Sequence, residues 1–414
     1  MRQRLEISHH WLIIPAITLV IIIGWNFWLP MAEDFYNLVT PADENRQVVL
    51  RNVDFFAYYN GGARFEDGAN PYYYGEPELR HFSDFIYPPT MLPIFSLISR
   101  MEYDPARLFW LGLNSMSYVL CFMLMLLAAK QEIRQAFLAG GLILTTASFP
   151  LLMHIHNGQA DVLVISLVLI GYTIYIKGFK TASAGLFALA ALIKVSPVLF
   201  LIFFVIFLRD YRFLVSFCLW ASGIVLISLL MVPIDLYRDY IFQVLPEVSK
   251  GTSNWLNQSI VKYVPASQSW LAQVISLGGL GAFSLFAWRL SRRYPADQRK
   301  PGRMLGETDS ISESVFFLNI LIILILAGRV WSMAYVWTIL PSALLVARLL
   351  DRRTRPWYFA LSCLAVFLLD SKVYGYPILD STNLWGSLLM FSILVINLIK
   401  KNGVVQASSG TSND

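Results

Sequence analysis

The sequence predicts an all-α integral membrane protein, a bundle of about 12 transmembrane helices with a large outer first loop that carries short interfacial helices. Hydrophobic residues make up 57% of the 414-residue chain and charged residues only 14%, against roughly 25% charged in soluble domains. Apolar runs long enough to cross a ~30 Å hydrocarbon core recur along the chain. The pattern favours one polytopic domain over 1–400, with an outer loop at 30–104 and a short disordered cytoplasmic tail at 401–414.

Lys and Arg residues predict the orientation of the helices. By the positive-inside rule their clusters face the cytoplasm of a cell membrane, and they lie at 130–134, 177–180, 209–212, 289–303, 348–355 and 400–401. The predicted spans, which leave both termini in the cytoplasm, are 11–29, 105–129, 135–153, 161–176, 181–196, 197–208, 213–232, 270–288, 314–327, 333–349, 356–370 and 384–400. The net charge of +5 is therefore a topology signal, and membrane lipids rather than nucleic acid are the expected surroundings.

The segment 181–208 does not fit a simple span. Basic residues border it on both sides, yet one straight helix of this length would measure ~42 Å and two full spans need about 40 residues. We expect two short helices that break near Lys194 and Pro197. An intramembrane lysine is by default a candidate functional residue; the alternative is a lysine that snorkels to the interface.

The stretch IYPPTMLPIF at 86–95 contains three prolines. The outer loop is predicted on one side of the membrane and the basic cluster at 130–134 on the other, so only one span, 105–129, fits between them. Pro88 and Pro89 suit the first turn of a short helix, where a missing N–H donor is harmless, and Pro93 is expected to keep that helix short. The stretch therefore predicts a rigid shelf at the outer interface.

The outer segment 51–89 is rich in the side chains of a carbohydrate site. Aromatic faces can cover sugar C–H surfaces while polar groups hold hydroxyls, which makes Tyr58, Arg64 and Tyr87 candidate substrate-binding residues. Asp54 differs from the other acids because it lies in the apolar run VDFFAYY, a setting that suits a general base. A helix N-cap is the alternative role. The remaining acids are expected to be ordinary solvated residues: Asp67, Glu76, Glu78 and Asp84.

A second polar group follows the third predicted span, in the sequence HIHNGQAD. His156, Asn157 and Gln159 are candidates for orienting a substrate. The spacing of His154 and His156, with Asp161, also suggests a metal site, but an i, i+2 pair is a weak signal on a helix and no third ligand motif appears. We expect neither a metal nor a cofactor.

Five motifs occur in one order along the chain: DFFAYYNGGARFEDGANPYYY, FIYPP, NGQADVLVISLVL, AGLFALAALIKVSPVLFLIFFVIFLRDYR and NQSI. Together they resemble glycosyltransferase family 87 of the GT-C superfamily, which includes polyprenol-phosphate-mannose-dependent mannosyltransferases. The resemblance implies a GT-C-type bundle that moves a mannose-like hexose, with inversion, from a polyprenyl-phosphate donor to a hydroxyl of a lipid or glycan acceptor outside the membrane. It also implies that Asp54 is the catalytic base and that Asn257 and Gln258, in the NQSI motif, bind substrate.

One position departs from that resemblance. Such enzymes often carry a histidine after a tryptophan in a late outer loop, where this chain has GRVWSMAYVW with Met333. A polyprenyl phosphate leaves as an anion and needs cations rather than an acid catalyst, so Lys194 and Arg329 are the candidate phosphate-binding residues. Two other classes stay open: a secondary transporter or flippase of a lipid-linked sugar, which predicts an inverted repeat, and a non-catalytic scaffold protein.

Overall fold

The computed structural model describes residues 53–72, 85–252, 257–307, 311–351, 356–371 and 379–409. This part of the chain is built from helices and contains no β-strand, so the predicted class of an all-α membrane protein is confirmed. The predicted first span at 11–29, and the acids Glu76, Glu78 and Asp84, lie outside the described residues.

The helices are numbered here in chain order. The α-helices are α1 (Val53–Glu66), α2 (Leu92–Ser99), α3 (Tyr103–Ala128), α4 (Gln131–Ala147), α5 (Phe149–Asn157), α6 (Asp161–Ile176), α7 (Lys180–Ile193), α8 (Tyr211–Ser228), α9 (Ile234–Asp239), α10 (Leu245–Ser249), α11 (Ser269–Arg293), α12 (Ala296–Arg299), α13 (Ile311–Leu326), α14 (Ile339–Asp351), α15 (Pro356–Asp370) and α16 (Thr382–Ser409). Short 3-10 or π-helical segments lie at Pro89–Met91, Ser196–Phe200, Ile202–Phe207, Tyr240–Val244, Ile260–Tyr263, Ala266–Gln268, Ser332–Thr338 and Leu379–Ser381.

Several helices are long and apolar enough to cross a membrane. Within the described ranges there are 5 of them, or up to 6 if the bent pair α4 and α5 forms one span. Six further apolar helices are shorter, at 10–17 residues. The total of about 12 spans stays a prediction.

The structure differs from the predicted span at 135–153. Helix α4 stops at Ala147, and α5 continues at an angle of 54° as far as Asn157. Ser148 caps α5 by accepting a hydrogen bond from the Leu151 amide at 3.2 Å, and Pro150 in the first turn has no N–H to continue α4. At the other end of the chain, α16 runs to Ser409, so 401–409 is helical rather than the disordered tail that we expected.

The expected break at Lys194 is present. Helix α7 ends at Ile193, Lys194 has extended backbone angles (φ −146°, ψ 127°), and a 3-10 segment containing Pro197 follows. The returning segment of the hairpin is not a regular α-helix, because its second part, Ile202–Phe207, is π-helical. Phe187 on α7 packs against Phe204 of the returning segment with ring centroids 5.0 Å apart, which holds the two halves together.

Basic residues converge at one end of the bundle, called here the basic end. Lys130 donates its backbone N–H to the Leu305 carbonyl at 2.9 Å, Arg299 donates to the Phe207 carbonyl at 3.0 Å, and Arg348 pairs with Glu313 at 3.0 Å. The predicted cytoplasmic clusters in these segments therefore lie together. Lys194 and the junction of α5 and α6 lie at the opposite end, called here the site end.

The proline-rich stretch forms a short helix against α1. Pro89 opens a 3-10 turn, but Pro93 is the second residue of α2, so it lies at the start of this helix rather than shortening it, because the first turn needs no N–H from it. Helix α1 approaches closely because Gly62 has no Cβ: an added Cβ would lie 2.3 Å from the backbone carbonyl of Phe95. The Phe95 ring then stacks on Tyr58 with centroids 4.9 Å apart.

Candidate functional site

The junction between α5 and α6 supplies the centre of the site. Helix α5 ends at Gly158 with a left-handed backbone (φ 67°, ψ 34°), a conformation that glycine adopts without steric cost. The indole N–H of Trp110 on α3 donates to the Gly158 carbonyl at 2.8 Å. This tight turn points two buried side chains, Gln159 and Asp161, into the site end.

Gln159 joins the two tyrosines predicted to bind substrate. The hydroxyls of Tyr58 and Tyr87 each donate to the Gln159 Oε1 at 3.2 Å, and the Tyr58 hydroxyl accepts the Ala160 amide at 3.2 Å. Burial, together with the neighbouring tyrosine for Tyr58 and the charge of Asp54 for Tyr87, raises the pKa of both hydroxyls well above their usual value. Both groups therefore stay protonated and act as hydrogen-bond donors.

Asp54 lies beside this trio. It is in the first turn of α1, inside the helix rather than before it, and one turn from Tyr58, which places the two side chains on the same face. Its side chain is buried, with a residue exposure of 9%, and its charge acts on both tyrosines. The structure thus brings together Asp54, Tyr58, Tyr87 and Gln159, from three separate parts of the chain.

Lys194 forms an ion pair with Asp161, a residue that the sequence suggests only as a weak metal ligand. Its ammonium group contacts both oxygens of Asp161, at 2.7 and 2.9 Å, and the Trp337 indole N–H donates to the same carboxylate at 3.1 Å. The lysine side chain is 30% exposed and the Asp161 side chain 2%. Lys194 therefore neutralises a buried acid within the protein itself.

His154 lies at the site end, although the sequence suggests it only as a weak metal ligand. It is buried on α5, and neither ring nitrogen has a hydrogen-bond partner among the described residues. The charges of Asp161 and Lys194 act on it, so it lies near that pair. The signal was present in the HIH motif: two residues apart on a helix, one imidazole points inward and the other, His156, is exposed.

Asn257 and Gln258 lie in a second buried group at the site end. The Asn257 amide donates to the Thr252 and Gly328 carbonyls at 2.7 and 3.0 Å, and its oxygen accepts the Val330 amide at 3.0 Å. Gln258 donates to the Asp380 carbonyl at 2.9 Å. Both side chains are thus hydrogen-bonded to loop backbone, and their role in substrate binding stays a prediction.

Three other predicted residues donate hydrogen bonds to backbone carbonyls. Arg329 is half-buried, and its guanidinium reaches the Glu247 carbonyl at 3.5 Å. Arg64 donates to the Asn70 carbonyl at 3.1 Å, and Asn157 donates to the Met153 carbonyl of its own helix at 2.8 Å. No cluster of three or more His, Cys, Asp or Glu side chains suited to a metal occurs in the described part of the chain.

The fold and this arrangement define a class of protein, a membrane-embedded bundle with a polar, partly charged site at one end. The family model for glycosyltransferase family 87 matches residues 85–305, just over half of the chain. The chain belongs to glycosyltransferase family 87 and is a membrane glycosyltransferase. No curated protein and no solved structure matches it.

The matched region does not contain the whole site. It includes Tyr87, Gln159, Asp161 and Lys194, whereas Asp54 and Tyr58 precede it and Trp337 follows it. The contacts described above connect these outlying residues to the matched ones, so the site extends beyond the part of the chain that identifies the family.

Proposed function

We propose that this glycosyltransferase moves a mannose-like hexose from a polyprenyl-phosphate donor to a hydroxyl of a lipid or glycan acceptor, with inversion. The reaction would take place at the outer face of the plasma membrane, with both termini in the cytoplasm. The observation that carries the proposal is the buried Asp54, beside the protonated hydroxyls of Tyr58 and Tyr87 and in the same site end as the Lys194 ammonium.

The proposed step needs one base. The acceptor oxygen attacks the anomeric carbon while the Asp54 carboxylate takes the hydroxyl proton. The bond between the anomeric carbon and the phosphate oxygen breaks, and its electron pair leaves with polyprenyl phosphate. Attack from the face opposite the leaving group inverts the anomeric configuration, and no covalent enzyme intermediate is formed.

The leaving phosphate needs positive charge, and Lys194 is the first candidate to supply it. An ammonium group has three N–H donors, and Asp161 accepts from it with two oxygens. The partial exposure of Lys194 leaves a donor for a phosphate oxygen. Arg329 is the second candidate, because its Nε has no hydrogen-bond partner among the described residues.

The two tyrosines suit the recognition of sugar hydroxyls. Because the raised pKa keeps them protonated, each can donate to an oxygen of the donor or acceptor in place of Gln159. Their stacked surroundings, with Phe95 against Tyr58 at 4.9 Å, keep the rings in one orientation. Rigid donors of this kind favour a bound geometry close to that of the reaction.

The test is transfer from a synthetic polyprenyl-phosphate sugar by purified Asp54→Asn in detergent, with donor binding measured separately. A positioned base contributes about 10²–10⁴-fold, so turnover should fall by that factor while donor affinity changes little. Asp67→Asn is the matched control, since Asp67 is exposed just beyond the same helix and its loss should leave turnover nearly unchanged. Turnover of Asp54→Asn close to that of the unmodified enzyme would remove Asp54 from the mechanism.

A further inference from the structure

A cavity of about 480 Å³ opens at the basic end, away from the candidate site. It lies between the end of α6, the turn before α8 and the segment 296–301. Its polar and charged lining consists of Tyr175, Lys180, Arg209, Asp210, Tyr211, Arg212 and Lys300. Four of these side chains are cationic and one is anionic, so the cavity carries an excess of positive charge.

The one carboxylate in the lining is fully used by its neighbours. Asp210 accepts hydrogen bonds from the Lys180 ammonium at 2.6 Å, from the Tyr175 hydroxyl at 2.7 Å and from the Phe213 amide at 3.1 Å. Burial works against ionisation, but the hydrogen bonds from Lys180 and Tyr175 outweigh it and hold the pKa of Asp210 below its usual range. Asp210 therefore neutralises the charge of Lys180, and the charges of the other three cations are not neutralised by it.

The other three cations have no carboxylate partner in the described part of the chain. Arg209 donates only to a neutral group, the Ser291 hydroxyl, at 3.1 and 3.2 Å. It also has a positive φ of 58°, which is uncommon for a residue other than glycine. Arg212 and Lys300 complete a set of charges that a bound anion would neutralise.

An apolar stripe begins at this cavity and continues along α8. Tyr211 lines the cavity, and Val215 and Leu219 follow it at intervals of four residues, which keeps them on one face of the helix. All three are exposed, by 63%, 59% and 68%. In a membrane protein this stripe faces lipid, so a molecule held in the cavity would have an apolar surface for its tail.

We propose that this cavity binds the phosphate-bearing headgroup of an anionic phospholipid, with an acyl chain along Tyr211, Val215 and Leu219. Basic pockets between transmembrane helices on the cytoplasmic side bind such headgroups. The stripe distinguishes a lipid from a free phosphate, because a free phosphate would use only the charged residues. This site is independent of the proposed sugar transfer.

The experiment uses the purified full chain in detergent. Phosphatidylglycerol, phosphatidylcholine and inorganic phosphate are each titrated, binding is followed by thermal stability, and retained lipid is counted by native mass spectrometry. Phosphatidylglycerol should stabilise the protein, and the other two should not. One cation near an anionic headgroup contributes about fivefold in affinity, so Arg212→Gln/Lys300→Gln should weaken phosphatidylglycerol binding by roughly 25-fold.

The control variant Arg293→Gln/Arg303→Gln removes the same charge from exposed residues at the same end that do not line the cavity. It should bind phosphatidylglycerol as the unmodified chain does. Equal loss in both double variants, or equal stabilisation by phosphatidylcholine, would overturn the proposal, and equal stabilisation by inorganic phosphate would make this a free-anion site. If the first double variant does not fold, Lys300→Gln alone provides the test, with a loss of about fivefold expected.

Discussion

Removing the charge of Lys194 should destabilise the folded protein even without substrate. Lys194→Met leaves the Asp161 carboxylate buried at 2% exposure, with the Trp337 N–H at 3.1 Å as its remaining side-chain donor. Breaking a buried ion pair in this way costs about 3–5 kcal/mol. Because the Lys194 side chain is itself 30% exposed, the loss should be near the lower end, ~3 kcal/mol.

Removing the charge of the other member of the pair, Asp161, should destabilise the fold less. In Asp161→Asn the amide oxygen can still accept from Trp337, and the lysine can turn its ammonium toward water, so we expect ~1–2 kcal/mol. The double variant Lys194→Met/Asp161→Asn contains no unpaired buried charge, and we expect it to be more stable than Lys194→Met. The interaction energy between the two residues should therefore be roughly 2–3 kcal/mol.

The assay is unfolding in mixed micelles of detergent and SDS, followed by tryptophan fluorescence, for the two single variants and the double variant. Lys180→Met is the matched control: Lys180 also pairs with a carboxylate, at 2.6 Å, but its side chain is 54% exposed, so its loss should cost less than about 1 kcal/mol. If Lys194→Met is as stable as the unmodified chain, or if adding Asp161→Asn restores none of its stability, then the pair does not stabilise the fold.

Two further predictions concern the fold. Gly62→Ala should separate α1 from α2 and lower both stability and turnover, because its Cβ would lie 2.3 Å from the Phe95 backbone; Gly112→Ala, whose Cβ meets nothing within 4 Å, should be neutral or stabilising by up to about 1 kcal/mol. In a chain whose native cysteines are replaced by serine, a cysteine at position 157 should react with an impermeant thiol reagent added to whole cells, while one at 297 should not. The opposite labelling pattern would invert the proposed orientation.

The sequence predicts the helices more completely than their breaks. The long apolar runs, the interruption at Lys194 and the grouping of the basic clusters follow from hydropathy and charge, and the structure agrees. Hydropathy gives no signal for the bend at Ser148, because Ser148 and Pro150 lie within an apolar run. Pro93 was assigned the wrong role because proline suits both a helix start and a helix stop, and only the preceding backbone decides between them.

The sequence predicts which residues form part of the site, but it does not predict which side chains contact one another. Tyr58, Tyr87 and Gln159 were selected from the sequence, and they are hydrogen-bonded to one another. The pairing of Asp161 with Lys194 joins residues 33 positions apart, and the contact with Trp337 joins residues 176 apart. No local sequence pattern predicts contacts between residues so far apart. The same is true of the Gly328 carbonyl that accepts a hydrogen bond from Asn257.

The two loops joined by Asn257 have a consequence for engineering. The two loops cross so closely that an added Cβ on Gly328 would lie 2.9 Å from the Gly251 Cα. The Asn257 side chain is hydrogen-bonded to the backbone of both loops. A chimaera that takes only one of these loops from a relative would have to reproduce a backbone contact that it did not inherit. Loops of this kind are exchangeable only as a pair, so the two loops that meet at Gly251 and Gly328 should be transplanted together.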